Sequence, residues 1–196
     1  PSFAEPEIRN ADLTGLLLDC ASWGVTDPLT LAWLDPPPAV ALAAARDLAP
    51  SVVADRREIH RHPELKFQEH VTADLVARRL EQLGIEVRTG VGETGVVGLL
   101  RGSRAGKTVL LRADMDALPI DEQSDVEYRS QNPGVMHACG HDGHTAMLLG
   151  VARLLNERRD DISGCVKLMF QPGEEGGAGA LRMLEQGLLA DPPVDA

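Results

Sequence analysis

Apolar positions recur along the chain with two periods that alternate. In HVTADLVARRLEQLG, Val71, Leu75, Val76, Leu80 and Leu83 share one helical face, and Gly84 supplies a stop. TAMLLGVARLLNER repeats a helical stripe at Met147, Leu148, Val151, Leu154 and Leu155. GVVGLLRG, KTVLLRADMD and GCVKLMFQP are apolar runs of strand length, and AGALRMLEQGLL reads as a last helix. Ahead of them SVVADRREIH reads as a helix, which Pro63 ends by disfavouring helix at His62. Strands alternating with helices predict an α/β domain, a mostly parallel sheet flanked by helices. No internal repeat is visible.

The first 49 residues follow a different pattern. They hold both tryptophans, the run LDPPP, and two helix-like stretches, DLTGLLL and AVALAAARDL. The break near residue 50 predicts two parts, a helical appendage at 1–49 and an α/β domain at 51–196.

Composition narrows the function. A formal net charge of −11 repels phosphate backbones and argues against nucleic-acid binding. Cys20, Cys139 and Cys165 make no disulfide framework and suit a reducing compartment. No stretch is apolar and long enough to span a bilayer, and the start shows no secretory leader. A cytoplasmic location is therefore expected.

Three motifs end predicted strands or follow them, where open α/β sheets place their sites. They are RADMDALP at 112–119, MHACGHDGH at 136–144 and QPGEEGGAGA at 171–180. Cys139 and His141, two apart on an extended chain, point the same way, and zinc and similar divalent ions accept both ligand types. The alternative is a buried cysteine beside histidines that cap and anchor loops; Gly140 and Gly143, which let the backbone fold around an ion, weigh against it. Glu174 and Glu175 offer one metal ligand and one free base, the pair that metal-assisted hydrolysis needs. They also fit a solvated acidic helix start. Asp114 and Asp116 are candidate ligands, acceptors that orient a ligand histidine, or plain loop acids. His137, Asp142 and His144 flank the site, whereas His60, His62 and His70 read as structural or solvated.

These motifs, with HRHPEL ahead of them, resemble the dinuclear metallo-amidohydrolases that cleave N-acyl amino acids. Hippurate hydrolases, bacterial aminoacylases, N-acetyl-diaminopimelate deacetylases and plant auxin-conjugate hydrolases are of this kind. The resemblance covers residues 51–196 and implies an incomplete zinc-peptidase-like catalytic domain. It implies that Cys139, His141 and Glu175 are metal ligands and that Glu174 is the general acid/base. Asp114, Asp116, His137 and Asp142 are expected to support the site from behind. The implied cofactor is one or more divalent ions, zinc, manganese, cobalt or nickel, and the implied partner is a small N-acyl amino acid.

The same family uses two further histidine ligands and an inserted dimerisation domain, and neither is found in the 196 residues. The resemblance therefore implies the N-terminal half of such an enzyme, with weak metal binding and little turnover expected. Pro6 to Pro38, PEIRNADLTGLLLDCASWGVTDPLTLAWLDPPP, resembles part of the C-terminal region of bacterial DEAH-box helicases, although no phosphate loop or D-E-x-H box accompanies it. Two other readings remain: a helicase-derived nucleic-acid accessory module, and a metal-binding domain without catalysis.

Overall fold

A computed structural model describes residues 27–32, 36 and 38–196. The stretch DLTGLLL and both tryptophans lie outside the described residues. Contacts divide the chain into two compact units, Pro1–Val53 and Ala54–Ala196. Helix α1 spans Ala39–Arg61 and contains Pro50. The two helical runs read on either side of residue 50 are thus one helix. Pro50 cannot donate to the carbonyl four residues back, a local cost that the helix absorbs.

The second unit is built on a four-stranded sheet. Helix α2, His70–Gln82, precedes strands β1 (Glu86–Val91), β2 (Gly95–Arg101) and β3 (Arg104–Asp114). Helix α3, His141–Glu157, then leads to β4, Ser163–Gln171, and helix α4, Gly179–Glu185, follows. The strand order is β1-β2-β4-β3. β3 and β4 pair in parallel, joined through α3, as the alternation of elements predicts. The sheet is mixed, because β1 and β2 form a hairpin and β2 runs antiparallel to β4. Only three residues separate β1 from β2, too few for the crossover that parallel pairing needs.

Alternation along the strands gives two apolar faces. Val96, Leu100, Leu168 and Phe170 are fully enclosed on one face with Val76 and Leu80 of α2 and Leu148, Leu149 and Ala152 of α3. Each such large side chain contributes about 1.5–3 kcal/mol by leaving water. Val71, expected on the buried stripe of α2, is exposed; Thr72, Leu75, Val76 and Leu80 form the buried face instead. On the other face Val97 and Met169 pack with Met183 of α4 and Leu188. Lys167 lies on this face, fully buried, and its Nζ donates to the carbonyls of Leu188 (2.6 Å), Pro192 (2.9 Å) and Asp191 (3.1 Å). Burial pushes its pKa down.

Among the described residues, no helix is long and apolar enough to cross a membrane.

Candidate metal centre

Because β3 and β4 are parallel, their C-terminal ends lie side by side, and α3 starts at the same end. The three motifs therefore converge. Asp114 closes β3, His141 opens α3, and Glu174 and Glu175 follow β4.

Two groups of potential ligand atoms result, each with its atoms within 4.8 Å of one another. One is Cys139, His141 and Glu175; the other is Asp114, His141 and His144. His141 belongs to both. The thiol, imidazole and carboxylate of the first group suit zinc and other borderline divalent ions. Gly140, at φ 92°, turns the chain between Cys139 and His141. The two side chains therefore meet across a left-handed bend, not along the extended strand that their spacing suggests.

His141 is held from behind. Its Nδ1 lies 2.8 Å from the Asp116 carbonyl and 3.3 Å from Asp116 Oδ1. This contact assigns the proton to Nδ1 and leaves Nε2 as an acceptor, the arrangement a ligand histidine needs. Nε2 stands 3.7 Å from Asp114 Oδ2 and 3.9 Å from Glu174 Oε2. His144 Nδ1 is 2.6 Å from Asp114 Oδ1, and Arg112 approaches Asp114 Oδ2 at 3.1 Å. Asp114 thus sits inside a ligand group, while Asp116 faces the backbone of the neighbouring loop.

The Glu174–Gly177 turn is kinked, with non-helical angles at Glu175 and Gly176. Its backbone is gripped by two buried carboxylates. Asp116 accepts from the Glu174 and Glu175 amides, each at 2.9 Å, and Glu69 accepts from the Gly173 amide at 2.9 Å. Thr94 donates to the other oxygen of Glu69. Glu174 is exposed and Glu175 half-buried. Glu69 escapes sequence reasoning: it sits in a polar stretch before α2, and its target lies 104 residues away.

Burial would raise the pKa of Asp116, but bonds from His141 and from the Glu175 and Glu174 amides hold it below the ordinary value. Burial would lower His141, and Asp116 and Asp114 raise it instead. The hydrogen bond to Glu175 leads the causes that push the Cys139 thiol up, followed by burial and the nearby carboxylates. This excess of negative charge is what a bound cation would offset.

His137 and Asp142 belong to neither ligand group. Asp142, fully buried, is 2.7 Å from both His60 Nδ1 and Arg56 Nε. His60 is also buried, with Nε2 3.2 Å from Glu122. His137 is buried with neither ring nitrogen bonded, and burial pushes its pKa down to about 4. These residues form a second polar cluster behind the start of α3.

Residues 110–196 match Peptidase family M20/M25/M40. Thermostable carboxypeptidase 2 of Saccharolobus solfataricus is 57% identical over 141 residues, 70% of this chain and 36% of that protein. The N-acyl-L-amino acid amidohydrolase of Geobacillus stearothermophilus is 49% identical over 139 residues, 70% of this chain and 38% of its own length. The YXEP protein of Bacillus subtilis, described as a dinuclear metal binding peptidase of the M20 family, superposes with a TM-score of 0.71 at 44% identity. It covers 74% of this chain and 41% of its own. The α/β architecture is thus shared with M20 structures. The chain spans a little over a third of the length of these curated relatives.

Proposed function

We propose that residues 51–196 carry part of the centre of a metal-dependent amidohydrolase that cleaves the amide bond of N-acyl amino acids. One observation carries the reading: two ligand groups share His141, and Glu174, in neither group, stands 3.9 Å from its Nε2. Cys139, His141 and Glu175 would hold one divalent ion, with zinc, manganese, cobalt or nickel all compatible with this donor set. Asp114 and His144 extend the site towards a second. A bound ion supplies Lewis acidity to the acyl carbonyl and to water. Glu174 takes the proton from the attacking water and passes it to the leaving amine, giving a carboxylic acid and a free amino acid. Asp116 keeps His141 in the ligand tautomer and fixes the loop that bears both glutamates. The similarity to an N-acyl-L-amino acid amidohydrolase supports this substrate class.

The test is a Co²⁺ titration with hydrolysis of N-acetyl- and N-benzoyl-amino acids. A thiolate-to-cobalt absorption lost in Cys139→Ser is expected, and in a protein that also carries the two further histidine ligands, Glu174→Gln keeps the metal while abolishing turnover. Turnover that survives Glu174→Gln, or absence of the thiolate band, would overturn the reading.

Residues 1–49 are read as a separate, helicase-like appendage, supported by the division of contacts after Val53. Limited proteolysis that nicks the chain between Pro36 and Ser51 and leaves a protected C-terminal piece tests it; equal protection across that stretch, which includes the start of α1, would count against it. A ligand thiol at Cys139 also fits the reducing cytoplasm.

A further inference from the structure

Phe67 lies in the turn before α2, closed by the Gln68 amide bonding the Leu65 carbonyl at 2.9 Å. Its backbone has φ 61°, the left-handed region, where a bulky residue is an outlier. Such strain persists only where surrounding contacts over-determine it. Here the contacts are around the ring. A Cβ placed on Gly173 would come within 2.7 Å of Phe67 Cζ, and one on Gly177 within 2.9 Å of Phe67 Cε2. The ring thus occupies a cradle that only glycines leave open, and those glycines bracket Glu174 and Glu175. The Arg182 guanidinium lies 4.0 Å from the ring centroid. The adjacent Lys66 donates to the Glu175 carbonyl at 3.1 Å.

We propose that Phe67 is a positioning residue for the metal centre: its ring wedges the Gly173–Gly177 loop and so sets where the Glu174 and Glu175 carboxylates stand. The proposal rests on the hydrolase reading above for its functional consequence. Asp116 and Glu69 take three consecutive amides of the loop, and the ring fills the space its glycines leave. Neither grip alone fixes the side chains. The left-handed turn at residue 67 aims the ring into the cradle.

The test compares Phe67→Ala, Gly177→Ala and the double variant of the full chain by two readouts. The first is amide hydrogen exchange of residues 173–179 without metal; the second is Co²⁺ affinity. Gly177 has an ordinary φ, so alanine there adds only a methyl group against the ring. Each single variant is expected to speed loop exchange and weaken Co²⁺ binding by about tenfold or more, the range for groups that orient ligands. Protection in α2, α3 and the sheet should stay intact. In the double variant the methyl occupies space vacated by the ring, so the effects should be less than additive. Unchanged exchange in both single variants, or strict additivity, would overturn the wedge. If the parent binds no Co²⁺, the exchange data still decide the wedge, and the metal-centre reading alone fails.

Discussion

Replacing Asp116 by Asn tests how the site is held. Asp116 is 1% exposed, and its two carboxylate oxygens accept one amide each, from Glu174 and Glu175. Asn presents one oxygen and one NH₂ group, so one amide loses its acceptor and faces a donor. A hydrogen bond to a charged acceptor contributes about 1.5–3 kcal/mol, and that is the expected loss of stability at neutral pH. The pH dependence follows from the sign of the shift. Asp116 is held below its ordinary pKa, so its contribution is present above about 3.9, the unfolded value, and is lost as pH falls through the folded one. The gap between parent and Asn variant should therefore be widest at neutral pH and close in acid. Because Asp116 also orients His141, Co²⁺ affinity should fall roughly 10- to 100-fold. Urea unfolding followed by circular dichroism, at several pH values, and Co²⁺ titration measure both. Equal stability at neutral pH with unchanged Co²⁺ affinity would refute this account.

Cys139→Ser should weaken Co²⁺ binding far more than Cys165→Ser, since Cys165 lies within β4 and in neither ligand group. The raised Cys139 thiol means that metal binding displaces a proton, so affinity should climb about tenfold per pH unit through neutrality; a flat profile would contradict this. Above all the bond to Asp142 raises the pKa of His60, so its stabilisation is full below about 6.5, the unfolded value, and is lost as pH rises through the folded one. His60→Gln should flatten the decline of Tm across that window, and an unchanged decline would count against the pairing. Lys167→Met strands three carbonyls and should cost about 1–3 kcal/mol in urea unfolding; no loss would mean that the ammonium offsets only its own desolvation.

The helices of residues 51–196 and strands β2, β3 and β4 were legible because their apolar periods are clean, and the candidate ligand group because Cys139, His141 and Glu175 sit in short dense motifs; β1 went unread, since Glu86–Val91 is mostly exposed and carries no apolar run. What resisted reading was long-range. Nothing near Glu69 announces that it binds the Gly173 amide, and nothing near His60 that it meets Asp142, 82 residues on. Spacing placed Cys139 and His141 on one side of an extended chain; the bend at Gly140 brings them together by another route. The hairpin character of β1 and β2 lay in the short link between them, a cue that helix–strand alternation does not capture.

The parallel pairing of β3 and β4 also has a kinetic consequence. Asp114 and Glu175 are joined by 60 residues of intervening chain, and all of α3 must find its place before the strand ends meet. Non-local pairing of this kind is slow, because loop closure is costly before contacts reward it. The ligand atoms should therefore assemble late in refolding. A cobalt–thiolate signal would mature with the slowest structural phase, while hairpin β1–β2, with its short closure, is already formed.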